Sequence, residues 1–146
     1  MSFPQYPQAY DAGLLGVWGT SPSNVFAVGN AYPEAAGIWH YDGSSWSVSP
    51  TAPADSIFQG VWGSSPSDVF AVGSGCIWHY DGSSWSSSPT APEGDTFLGV
   101  WGTSSSDVFA VGCVNAHPSW QCGAGGAVVH YDGSSWSPMA IPPPSY

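Results

Sequence analysis

The chain has 146 residues, ten of them acidic, with neither Lys nor Arg, and a formal net charge of −10. That balance excludes sequence-independent nucleic-acid binding, which needs cationic side chains against phosphate, a polybasic membrane patch, and any catalytic role for Lys or Arg. Helix formers other than Ala are scarce (three Leu, two Met, two Glu, four Gln) beside 19 Gly, 25 Ser and 14 Pro, which excludes an all-helical fold.

Leu, Ile, Val and Phe number only 26, a level that together with the charge is typical of disorder. Nine Trp, seven Tyr and six Phe reverse that reading, because each aromatic buries roughly 150–250 Å² and disordered chains lack them. The length suits one domain of ordinary size. No run approaches the ~20 apolar residues of a membrane helix. The segment Met1–Tyr10 has neither the basic start nor the apolar stretch of a signal peptide. The expectation is a leader already removed, or an excerpt of a longer chain.

Self-similarity organises everything between residues 14 and 137. After an extension at 1–13, the first unit (14–53) carries GVWGTSPSNVFAVG and then IWHYDGSSWS. The second (54–92) repeats them as GVWGSSPSDVFAVG and IWHYDGSSWS. The third (93–137) has GVWGTSSSDVFAVG and VVHYDGSSWS, with an insertion at 113–126, and a proline-rich tail follows at 138–146. Trp18, Trp62 and Trp101 mark the repeat at intervals of 44 and 39 residues, and all length variation sits between the two phrases. The frame is therefore fixed and one connection is free.

Each unit reads as four short strands, a to d. In the second unit these are Phe58–Gly63, Asp68–Gly73, Cys76–Asp81 and Ser84–Ser88. The Asp81-Gly82-Ser83 step is a strong hairpin signal, because Gly accepts positive φ. Pro50–Gln59 and Pro89–Leu98 read as extended linkers. Strand b is Val-Phe-Ala-Val in every unit, apolar on both faces, which belongs to a strand covered on both sides. Four-stranded sheets stacked against copies of themselves, at a period of about 40 residues, are propeller blades. The expected fold is thus all-β: a β-propeller with three four-stranded antiparallel blades per chain. Three blades do not close a ring, so the ring is expected to be completed by oligomerisation, as six blades from a dimer, or within a longer array. The phrases VWGSSPSDVFAVG and HYDGSSWS resemble a bacterial secreted or cell-surface β-propeller repeat family. The resemblance implies a propeller and export to the cell surface or exterior, and brings no catalytic residues or settled ligand.

The candidate chemistry is sparse. His40, His79 and His130 recur at one position, but equivalent sites on neighbouring blades lie about 10 Å apart, too far to share an ion with Zn–N bonds of about 2.0–2.1 Å. Each His has an Asp two residues on, and with a nearby Ser this resembles a catalytic set. Three identical active sites make little sense, so the reading is non-catalytic. Asp42, Asp81 and Asp132 are candidate calcium ligands, but one carboxylate per turn is few for 6–8 oxygens and turn formation explains Asp-Gly without a metal, so no cofactor is expected. Cys113 and Cys122 bracket the third unit's insertion, and a disulfide between them stabilises by roughly 2.5–3 kcal/mol in the chain-entropy model and fits an oxidising compartment. Cys76 is left over. Most Trp residues repeat and read as packing between blades. Trp120, beside His117 in the insertion, and Tyr32 in the first unit's connection stand apart, and the b–c and d–a connections of a propeller emerge on one face. That variable face, with Trp120, His117, Tyr32, Trp39 and Trp78, is the candidate binding surface. The expected function is a binding or adhesion scaffold, with glycans or another surface molecule as ligand and the chain itself as partner; the alternative is a self-assembling structural subunit.

Overall fold

The computed structural model describes residues 13–30, 37–54, 56–92, 94–114, 125–143 and 145. Twelve strands and no helix occur among them. β1 (Leu14–Ser21), β2 (Asn24–Gly29), β3 (Ile38–Tyr41) and β4 (Trp46–Val48) form the first blade. β5 (Phe58–Ser65), β6 (Asp68–Gly73), β7 (Cys76–Tyr80) and β8 (Trp85–Ser87) form the second. β9 (Thr96–Ser104), β10 (Asp107–Cys113), β11 (Gly126–Tyr131) and β12 (Trp136–Pro138) form the third. Each is an antiparallel meander in chain order.

The expected strand positions hold, with two extensions. The first strand of the middle blade continues past Gly63 to Ser65 through an irregularity in its pairing with β6. β9 begins at Thr96, inside the stretch expected to be linker, because Thr96 and Phe97 pair with Cys113 and Gly112 and the Phe97 ring is fully buried.

The apolar run of β6 divides between two cores. Val69 and Ala71 join Phe26, Val28, Ile38, Phe58, Val61 and Trp85 between blades one and two. Phe70 and Val72 join Ile77, Phe97, Val108, Ala110, Val129 and Trp136 between blades two and three. Successive side chains on a strand point to opposite faces, so a strand packed on both sides must be apolar throughout. Glycines bring the first strands together: a Cβ on Gly16 would lie 3.2 Å from the Gly60 Cα, and one on Gly60 3.4 Å from the Gly99 Cα. Each blade therefore tapers toward its first strand.

The two end faces are different. Val17, the counterpart of buried Val61, is 70% exposed, and Trp46, the counterpart of Trp85, is 50% exposed. On the far side Trp101 is 61% exposed, and Val111, the counterpart of Val72, is 46% exposed.

Candidate functional site

The a–b and c–d turns share one rim and carry most of the repeated polar residues. In the middle blade, the His79 Nε2 lies 2.7 Å from the Asp68 Oδ1, and the Ser64 hydroxyl donates to the other oxygen of Asp68. In the third blade His130, Asp107 and Thr103 take the same places, again with 2.7 Å between imidazole and carboxylate. In the first, the His40 Nε2 lies 2.7 Å from the Oδ1 of Asn24, whose Nδ2 donates to Thr20. Each imidazole also packs on the Phe of its own second strand at 4.7 Å.

From the sequence, the Asp two residues after each His is set aside as a catalytic partner, and the imidazole is bonded to a residue of the neighbouring strand instead. The reason is that Asp42, Asp81 and Asp132 are engaged in turns. The Asp81 Oδ1 accepts from the backbone N–H of Ser83 and Ser84 at 2.9 Å each. Between them Gly82 sits at φ 102°, in the region that Gly occupies without steric cost. The Tyr80 hydroxyl closes the turn by donating to the Gly82 carbonyl. The other two turns repeat this pattern. Hydrogen bonds from the two Ser backbone amides hold all three carboxyls below the usual Asp range. Asp107 is likewise lowered, first by the Thr103 hydroxyl and then by His130. Burial raises the Tyr131 phenol, with Asp68 and Asp132 adding to the effect. Among the described residues no group of three or more His, Cys, Asp or Glu is arranged to hold a metal ion.

The opposite rim carries the β6–β7 turn and the described residues of the linkers between blades. The Gly75 N–H in the β6–β7 turn donates to the Asp95 carbonyl of the next linker at 2.9 Å. A shallow groove of about 160 Å³ runs there between the β6–β7 turn (Gly75, Cys76) and the linker residues Ser88, Pro89, Ala91 and Pro92. Burial pushes the Cys76 thiol up to about 11, so at neutral pH it is protonated and a poor nucleophile.

Of the residues singled out from the sequence, Tyr32, His117, Trp120 and Cys122 lie outside the described residues. Cys113 is buried at the end of β10 and is not free. Trp78 packs against the core between blades one and two. Trp39 occupies the same position in β3, on the outward face of the first blade, and is half-buried.

Two sets of functional partners escaped the sequence reading. Asn24, Asp68 and Asp107, each four residues after Thr20, Ser64 or Thr103, hold the imidazoles; that recurring spacing was the available signal. Thr51 and Thr90 are the other set. Each lies in a linker and accepts, through Oγ1, the backbone N–H of the next blade's Trp85 or Trp136, at 2.8 and 2.9 Å.

No protein-family model matches the chain, and no curated protein does. Among solved structures it superposes on the GH74 xyloglucanase from Xanthomonas campestris with a TM-score of 0.64 and 14% identity, over 88% of this chain and 21% of that one. It superposes on YCF48, solved bound to D1 peptide, with a TM-score of 0.61 and 20% identity, over 87% of this chain and 40% of that one. Both are β-propeller proteins. The fold is that of β-propeller blades. At these identities the likeness speaks of the fold alone, and the chain spans well under half the length of either propeller chain.

Proposed function

We propose that this chain is a non-catalytic propeller repeat module of the bacterial secreted or cell-surface family that its phrases resemble. It acts outside the cell as a binding or adhesion scaffold, and its ligand, a glycan or another surface molecule, meets the variable rim. The observation that carries this reading is the exchange of Asp for Asn at one of three equivalent positions. Asn24 holds His40 at the same 2.7 Å at which Asp68 and Asp107 hold their imidazoles. A catalytic carboxylate loses its charge in that exchange, whereas a structural acceptor loses nothing. The repeated polar groups are thus tied up in holding turns and strands together. Variation between the units falls on the other rim, where loops carry recognition more often than cores do.

In the same reading, Cys113 and Cys122 form a disulfide that secures the insertion bearing His117 and Trp120. A glycan array read with the wild-type chain and with Trp120→Ala tests the proposal. Binding by the wild type that Trp120→Ala abolishes supports it, and silence across the array counts heavily against a glycan ligand.

The exposure of Val17, Trp46, Trp101 and Val111 on the two end faces favours a second reading, a structural subunit that assembles through its blade faces. Apolar faces of this kind mark association surfaces. Electron microscopy and light scattering separate the two: an open polymer favours the structural subunit, and a discrete particle the binding module.

A further inference from the structure

The two internal joints of this chain are built to one plan. Where blade one meets blade two, the Trp18 indole lies over Gly63; a Cβ there would sit 2.6 Å from Trp18 Cη2. Phe26 meets Tyr80 edge-on at 5.4 Å and Trp85 at 5.8 Å. Where blade two meets blade three, the Trp62 indole lies over Gly102, with 2.7 Å to the Cη2 of Trp62. Phe70 meets Tyr131 at 5.1 Å and Trp136 at 5.5 Å, again edge-on. Each joint thus takes a Trp and a Phe from one blade, and a bare Gly, a Tyr and a Trp from the next.

Two half-joints remain. The third blade presents Trp101, Phe109 and Val111, with Trp101 and Val111 exposed and no further blade among the described residues to seat them on. The first blade presents Gly19, Val17, Tyr41 and Trp46, and no described indole lies over Gly19. Tyr41 and Trp46 already stand 5.3 Å apart, the same separation as Tyr80 and Trp85 in the internal joint. The receiving half is therefore preformed.

We infer that the occupant of each end face is a second copy of this chain, joined head to tail, with Trp101 of one copy seated over Gly19 of the next and Phe109 edge-on to Tyr41 and Trp46. This rests on the assembly reading above and specifies its contact. The interface is heterologous: one face meets the other, not itself. It continues the Trp, Phe, Gly and Tyr pattern of the two joints inside the chain, with Leu14 in place of Phe58 and Phe97, Val128 in place of Ile38 and Ile77, and one hydrogen bond fewer. Position 141, where the spacing from Trp136 matches that of Thr51 from Trp46 and Thr90 from Trp85, holds Ile. The joint between copies therefore lacks the threonine that accepts the backbone N–H of Trp85 or Trp136 inside the chain. It is weaker than the internal joints, and copies separate on dilution.

The test is sedimentation velocity across a range of concentrations, on the wild-type chain, Trp101→Ala, Trp46→Ala and an equimolar mixture of the two variants. Both tryptophans are at least half exposed in the single chain, so the variants fold. The wild type is expected to show a concentration-dependent dimer or longer assembly. Each variant alone is expected to associate at least about 30-fold more weakly, the loss typical of a central aromatic anchor. The mixture regains association, because the intact third blade of Trp46→Ala meets the intact first blade of Trp101→Ala. A wild type that stays monomeric overturns both the contact and the assembly reading. A wild type that associates while the variants match it, or a mixture no stronger than its parts, overturns this contact and leaves assembly standing.

Discussion

Trp46 and Trp85 sit in the identical decapeptide IWHYDGSSWS, yet removing them should have unequal consequences. Each contacts the Tyr of its own blade at 5.3 Å, with interplanar angles of 33° and 35°. Only Trp85 also meets a ring of the preceding blade, Phe26, and it is 4% exposed where Trp46 is 50% exposed. The difference is about half of a tryptophan's surface, roughly 100 Å², which at about 25 cal/mol per Å² amounts to about 2.5 kcal/mol. Trp85→Ala should therefore cost about 3–5 kcal/mol, the usual range for a buried large aromatic, and Trp46→Ala roughly 1–2 kcal/mol. Urea unfolding at low protein concentration, in a Trp101→Ala background, keeps the first blade's face in water while the two are compared. The backbone N–H of residue 85 still donates to Thr51 in the alanine variant, so the hydrogen bond does not confound the comparison. Equal losses at the two positions would refute the claim that contacts across blades, rather than those within a blade, hold the sheets in place.

Two other measurements probe the turns and the cysteines. Asp42, Asp81 and Asp132 have carboxyls lowered from an ordinary 3.8 by backbone hydrogen bonds, so their contribution is complete above that value and is lost as pH falls through the lower folded values. The melting temperature should thus be flat between pH 7 and 5 and fall below about pH 4, with turbidity rising as the net charge of −10 is neutralised. A flat melting profile down to pH 3 would remove the carboxylates from the account of the turns. For the cysteines, the proposed Cys113–Cys122 disulfide leaves one titratable thiol of three in the unreduced, unfolded chain, and that thiol should react sluggishly in the folded state because burial raises Cys76 to about 11. Three thiols before reduction would exclude the disulfide.

The blades were legible because their signals are local and repeated. Val-Phe-Ala-Val announces a strand covered on both faces, and Asp-Gly-Ser-Ser announces a hairpin; neither depends on distant residues. The partners of the imidazoles were harder to see. His79 and Asp68 are eleven positions apart and meet only because β6 and β7 pair in a register that sets Phe70 opposite His79. The nearer Asp81 is engaged in its own turn, where it accepts from the backbone N–H of Ser83 and Ser84. Thr51 likewise has a distant partner, a backbone group 34 positions later in the next blade. Contacts across blades follow from packing, and the packing is encoded in no single repeat.

That last point explains why three nearly identical units behave differently. A joint is half one repeat and half the next, so the sequence specifies joints only in pairs of blades. Phe70 and Phe109 stand in the same phrase, yet Phe70 is 1% exposed against the rings of Tyr131 and Trp136, while the outward face that Phe109 shares with Val111 is left open. The charge distribution keeps those open faces usable. The three turn aspartates are exposed on the rim, so these three charges do not lie across the apolar end faces. Repulsion between exposed charges is screened within about 8–10 Å at ordinary ionic strength, whereas burial of Trp101 and Trp46 acts only on contact. In the proposed head-to-tail contact, concentration and salt set the balance between a dispersed chain and an assembled one, and the aromatic side chains of the end faces would do between copies what their counterparts do between blades.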